Sequence, residues 1–310
     1  MALKTRLGGT EPGFGSRAHP TRAFTILFGG LVLSSLGPPS GLDGQKALDD
    51  LLIMHYHYHV QYPRSSQNMN QTTSPPALEA ENLSKHFGKT IALDSLSLSV
   101  AAGEVFCLLG SNGAGKTTTV NLFLNFLEPT EGCAKILGAD VRSNPSLTRS
   151  KLTYLPEQVA LYPELSGSEN LQYLLSVSGK KAKTREATAE FLLQAGLKED
   201  EHDELVAGYS KGMRQKVGIA LALAKASEIL LLDEPTSGLD PASANEFTHI
   251  VTQLAKRGAA VFMVTHDLYR AHQLSHRIGI MKKGVLVENR LTADLEAEEL
   301  ESLYLRHMRN

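Results

Sequence analysis

The sequence predicts an α/β fold: a largely parallel sheet, apolar on both faces, with helices between its strands. Three observations predict it. The runs "EVFCLLG" (104–110), "EILLLDE" (228–234) and "AAVFMVTH" (259–266) are continuously apolar, as strands covered on both sides require. Stretches of helical character separate them, so strand and helix alternate. A glycine-rich loop, "GSNGAGKTT" (110–118), follows the first run directly.

The elements can be justified in order. "LSLSV" (96–100) alternates apolar and polar residues, which predicts a strand with one buried face. The run 104–110 and the helical "TTVNLFLNFL" bracket the loop. Ser166 followed by Glu169 in "SGSENLQYLL" is a capping box ahead of an apolar helix. "KTREATAEFLLQAGL" reads as a further helix ending near Gly196. "YSKGMRQK" (209–216) leads into the helical "VGIALALAKA". After the runs at 228–234 and 259–266, "RIGIMKKGVLVE" (277–288) predicts a hairpin turning at "KKG". No internal repeat is visible, so the chain holds one such domain.

Residues 1–75 differ in texture and read as a disordered or non-native N-terminal extension, with the folded domain spanning 76–310. The extension carries "LGGTEPGFG", "LGPPSGLDG" and the polar "SSQNMNQTTSPP", without a sustained period. His55, His57 and His59 would share one face of an extended segment, as a metal site might require, against the simpler alternative of a biased tail. Translation starting at Met69 would leave only a short leader. "FTILFGGLVLSSL" (24–36) follows Arg6, Arg17 and Arg22 and loosely has the form of a secretory signal, but the chain from residue 76 onward has a cytosolic character. No apolar run reaches the roughly 18–20 residues of a membrane span, so a partner is expected to do any spanning.

Composition sets further bounds. The formal net charge of −2 over 310 residues supplies no global basic field for nucleic acid or anionic lipid. Two cysteines, Cys107 and Cys133, make no disulfide framework, and Cys107 reads as a small core residue.

The loop carries the chemistry. Gly110, Gly115, Lys116 and Thr117 match G-x-x-x-x-G-K-[ST], the phosphate-binding P-loop. Its glycines, Gly113 included, let the backbone curl, so that N–H groups along Ser111, Asn112, Ala114 and Thr118 turn toward phosphate oxygens. A helix starting near Gly115 adds the positive end of its dipole. Lys116 would reach the β- and γ-phosphates, and the Thr117 hydroxyl would ligate Mg²⁺. Kinases, GTPases and motors all remain open at this point. "ILLLDEP" (229–235) ends a buried strand in Asp233, positioned to hold Mg²⁺ through water, and Glu234, positioned to deprotonate an attacking water. Ser210 and Gly212 would lie at a helix N-terminus, a second anion-ready place.

In this order and spacing, "GSNGAGKTT", "YSKGMRQK", "LLLDEPTSGLD" and "VTHD" resemble the nucleotide-binding subunit of an ABC transporter, over roughly residues 77–295. The resemblance implies a P-loop NTPase with a RecA-like core, an antiparallel β subdomain before the loop and an α-helical subdomain over about 160–215. It also implies ATP and Mg²⁺ as ligands and a homo- or heterodimer that sandwiches two ATPs. In that dimer Ser210, Gly212 and Asp240 of one subunit would act on the other. Phe87 in "KHFGK" falls where an aromatic stacks on adenine, a core phenylalanine being the alternative. His266 would contact the γ-phosphate.

Two departures stand out. The family's S-G-G-Q is "SKGM" here, and the usual loop glutamine is displaced, leaving either Glu157 or Gln158 to sense the metal and contact the membrane partner. "LPE" and "SKGMRQK" are similar to the single-domain subunits of ABC-2-type exporters. The expected function is an ATPase that energises a separate permease from the inner face of the cell membrane, with no nucleic-acid partner. The alternative is a soluble ABC ATPase acting on nucleic acid or ribosomes.

Overall fold

A computed structural model of the chain describes residues 75–181 and 183–309. The histidines at 55–59, Met69 and the apolar run 24–36 lie outside the described residues.

The hairpin β1 (Leu78–Phe87) and β2 (Thr90–Val100) comes first, registered with Leu78 opposite Val100 and Phe87 opposite Thr90. Next come β3 (Val105–Gly110), which carries the first aliphatic run, and α1 (Lys116–Phe123). β4 (Glu131–Ile136) and β5 (Ala139–Asp140) then return to the hairpin and complete a four-stranded antiparallel sheet in the order β2-β1-β4-β5. This corrects the expectation of an antiparallel subdomain lying wholly before the loop. β4 was illegible because "EGCAKI" buries only Ala134 and Ile136, opposite Ala80 and Leu78.

After α2 (Pro145–Lys151) and β6 (Leu152–Leu155) come the helices α3 (Gly167–Val177), α4 (Arg185–Gln194) and α5 (Lys211–Lys225). The capping box at the start of α3 is formed in both directions: the Glu169 N–H donates to Ser166 Oγ at 3.2 Å, and the Ser166 N–H donates to Glu169 Oε2 at 2.8 Å. α5 continues past the boundary expected near 215, because Val217, Ile219 and Ala220 are buried in the main core.

β7 (Ile229–Asp233), α6 (Pro241–Lys256), β8 (Ala260–Thr265), α7 (Leu268–Leu274), β9 (Arg277–Lys282), β10 (Val285–Leu291) and α8 (Ala297–Arg309) finish the chain. The central sheet runs β10-β9-β3-β8-β7-β6, parallel throughout except for the β9–β10 hairpin, which turns at Lys283 and Gly284 as predicted.

Successive residues of the central strands enter different cores. Cys107 and Leu109 join Leu230, Leu232, Val261 and Met263 on the face covered by the helical layer. Phe106 and Leu108 join Leu231, Phe262 and Val264 on the face covered by α1 and the antiparallel sheet. There the Phe106 and Phe262 rings stack with centroids 5.8 Å apart, and Phe123 meets Phe262 edge-on at 5.7 Å. Burial pushes the Cys107 thiol up to about 12, as expected of an inert core cysteine.

Candidate nucleotide site

The loop between β3 and α1 is shaped by its glycines. Gly115 caps α1 with φ +111, and a Cβ there would lie 2.6 Å from the Ala92 carbonyl, so only glycine is accommodated without strain. Lys116 is nearly buried at 7% exposure, and its ammonium donates to the carbonyls of Gly110 at 2.7 Å and Ser111 at 3.3 Å. Burial lowers its pKa, while the Glu234 and Asp233 carboxylates pull it back up. The lysine is thus stored against the loop it would leave to meet an anion.

An open cavity of about 520 Å³ surrounds this loop. Its lining brings together nearly every residue predicted for the phosphate grip: Ser111, Asn112, Gly113, Ala114, Gly115, Lys116, Thr117 and Thr118, with Glu157, Asp233 and Glu234 facing them. The helix N-terminus at Lys116–Thr118 therefore points its free N–H groups at the same space as the lysine. Thr90, Ile91 and Ala92 also line the cavity and were not foreseen. They arrive through the pairing of β2, a long-range event that no local motif encodes.

Asp233 ends β7 and sits 3.5 Å from the Tyr154 hydroxyl, another unforeseen neighbour. Burial, followed by the adjacent Glu234 charge, raises the Asp233 pKa. Burial also pushes the Tyr154 phenol up to about 12, so it stays a donor to the carboxylate. Glu234 occupies the left-handed region at φ 47, an uncommon place for a non-glycine residue. Its carboxylate is fixed by Thr265, whose hydroxyl donates to Oε2 at 3.0 Å, and by His266, whose Nδ1 lies 2.9 Å from Oε1. The His266 backbone N–H also donates to Oε2 at 3.3 Å. Thr265 was visible only as a letter in "VTHD".

Other predicted residues lie elsewhere. Phe87 is half exposed at the tip of the β1–β2 hairpin, opposite the cavity residue Thr90, with the Lys85 ammonium 5.1 Å from its ring centroid. The core alternative for Phe87 is thereby excluded. Of the two loop candidates, Glu157 lines the cavity and Gln158 does not. Ser210 caps α5, accepting from the Met213 N–H at 3.2 Å, so Ser210 and Gly212 do sit at a helix N-terminus. Asp240 caps α6, accepting from the N–H groups of Ala242 and Ser243 at 3.0 Å each. Ser210, Gly212 and Asp240 lie outside the cavity of their own chain.

The donor set fits magnesium arriving with phosphate. Thr117, Asp233 and Glu157 offer only oxygen ligands, as a hard cation requires. Among the described residues no group of three or more His, Cys, Asp or Glu could hold a metal by itself.

A phosphate loop at the end of a central strand, facing paired acids across a cavity, defines a P-loop nucleoside triphosphatase. Comparison with known proteins agrees. Residues 93–237 match the family described as "ABC transporter". The daunorubicin/doxorubicin resistance ATP-binding protein DrrA of Streptomyces peucetius is 37% identical over 222 residues, covering 71% of this chain and 67% of that protein. The bacitracin transport ATP-binding protein BcrA of Enterococcus faecalis is 36% identical over 212 residues, 68% of each chain. A solved dimeric ATP-binding cassette in a post-hydrolysis state with ADP and Pi has a TM-score of 0.63 at 28% identity, over 69% of this chain and 98% of that one. The chain belongs to the ATP-binding subunits of ABC transporters: it binds and hydrolyses ATP to energise a transporter. These relatives favour that function over the nucleic-acid or ribosome alternative.

Proposed function

We propose that residues 76–310 form the nucleotide-binding domain of an exporter, working as a pair of such domains on a separate transmembrane permease at the inner face of the cell membrane. Relatives named for drug resistance and bacitracin transport support the direction of transport. Among the described residues no helix is long and apolar enough to cross a membrane.

In the proposed cycle, Lys116 leaves the Gly110 and Ser111 carbonyls for the β- and γ-phosphates, and the N–H groups of residues 111–118 take the remaining oxygens. Thr117, Asp233 and Glu157 would hold the magnesium, which supplies charge neutralisation across the phosphates. Phe87 offers a face to adenine. Glu234 accepts a proton from the attacking water, and His266 keeps that carboxylate aimed and meets the γ-phosphate. Ser210, Gly212 and Asp240 act on the ATP held by the second subunit, so closure of the pair on nucleotide and reopening after hydrolysis drive the permease.

The observation that carries this reading is the Glu234 carboxylate, fastened by Thr265 and His266 at the cavity that holds Lys116. The test is fractionation of the native protein. The expected result is sedimentation with membranes together with a multi-spanning partner, and phosphate release from ATP that depends on magnesium. Stable association with ribosomes or nucleic acid would overturn the transport assignment.

A further inference from the structure

The two departures from the family motif meet in space. Lys211, where the motif has its first glycine, starts α5, and its ammonium lies 3.5 Å from Oε1 of Glu157, which takes the glutamine's place in the loop after β6. The Ser237 hydroxyl donates to the same oxygen at 3.2 Å. Glu157 therefore joins three parts of the molecule: the helical layer through Lys211, the segment before α6 through Ser237, and the nucleotide cavity, which its side chain lines.

The main chain here is fixed while the carboxylate is not. Gln215, only 1% exposed, donates its side-chain amide to the carbonyls of Pro156 and Glu157 at 3.4 and 3.2 Å. That buried amide holds the loop on α5 whatever the Glu157 side chain does. Lys211 and Glu157 keep 29% and 50% of their side chains exposed, so their contact is a loose ion pair that is easily exchanged.

We propose that Lys211 is a positioning residue for Glu157: it holds the carboxylate at the cavity edge before nucleotide binds and yields it when magnesium enters with the triphosphate. The inference rests on the nucleotide-site reading above and deepens it. An ammonium and a magnesium ion compete for one carboxylate, so nucleotide entry releases the Lys211 ammonium while Gln215 keeps the loop on α5. The freed Lys211 ammonium then stands at the start of α5 beside Ser210, the place offered to the second subunit's ATP. A neutral glutamine and a glycine could not make this exchange.

The test is magnesium dependence of binding of a fluorescent, non-hydrolysable ATP analogue, measured on the full chain and without reference to turnover. Removing the competing ammonium in Lys211→Ala should strengthen the apparent magnesium affinity about two- to fivefold, the range of an exposed ion pair. In a Glu157→Gln background the same change should have no effect, and Lys211→Arg should behave as wild type. Melting curves check that each variant is folded, and Lys211→Gln serves in place of the alanine variant if that one is not. An unchanged magnesium affinity in Lys211→Ala, or an equal shift in the Glu157→Gln background, overturns the pairing while leaving the site intact. A wild-type chain whose nucleotide binding ignores magnesium overturns the site reading and the pairing together.

Discussion

His266 Nδ1 and Glu234 Oε1 stand 2.9 Å apart, although the two residues directly follow different strands of the central sheet. The contact depends on the parallel pairing of β7 with β8, which places Asp233 opposite Val264 and brings the two strand ends side by side. Glu234 then turns at φ 47 and its N–H donates to the Val264 carbonyl at 2.9 Å. The histidine holds a carboxylate that the backbone has already bent into place.

This geometry predicts that Glu234→Gln keeps the nucleotide and loses the chemistry. The amide can still accept from Thr265 and His266 but takes up no proton. Steady-state hydrolysis should fall by about 10²- to 10⁴-fold, the usual contribution of a general base. ATP should remain bound, and size-exclusion chromatography should show an ATP-dependent dimer. Unchanged turnover would remove Glu234 from the role.

Lys116→Ala should act on binding instead. The side chain is stored on two carbonyls next to the cavity, and its transfer to phosphate forms charge-assisted bonds worth about 1.5–3 kcal/mol, so nucleotide affinity should weaken roughly ten- to hundredfold by titration. A variant that binds as tightly as wild type would remove Lys116 from phosphate binding.

Gly115→Ala should destabilise the fold as well as the site. It combines a left-handed backbone with a Cβ placed 2.6 Å from a carbonyl oxygen, at a cost of about 1–3 kcal/mol or more by denaturant unfolding. Gly113→Ala is the internal comparison. Its φ of +78 is also unfavourable, but no atom lies within 4 Å of the added methyl, so it should unfold closer to wild type. Equal midpoints for the two variants would show that the close approach to Ala92 is not limiting.

Asp240 has a task within its own chain that any interface experiment must separate. The Ser243 hydroxyl and the backbone N–H groups of Ser243 and Ala242 hold its carboxyl below the usual carboxylate range. A carboxyl whose folded pKa is depressed contributes stability above its unfolded pKa and loses it as pH falls through the folded value. Asp240→Ala should therefore melt lower than wild type at neutral pH, with the gap closing in acid. Asp240→Ser should retain the cap and most of the melting temperature. A Ser variant that is stable yet hydrolyses slowly would mark the separate contribution across the subunit pair.

Much of the site could be read from the sequence because its parts are local. The P-loop is a contiguous turn, Asp233 and Glu234 close one aliphatic run, and Ser166 with Glu169 forms its box within a single helical turn. What remained hidden depends on strands that meet from far apart. Thr90–Ala92 reach the cavity only because β2 passes beside Gly115, and Tyr154 reaches Asp233 only because β6 pairs with β7. β6 itself is "LTYL", too short to announce a strand. Which of Glu157 and Gln158 lines the cavity had no local solution either, since adjacent residues of one loop diverge only when the loop is seated on α5.

The division of β3 between two cores has a mechanical corollary. Phe106 and Leu108 answer to one side and Cys107 and Leu109 to the other, so a single strand ties the two cores together. The nucleotide loop springs from the end of that shared strand. A shift of that strand would disturb the packing of both cores at once.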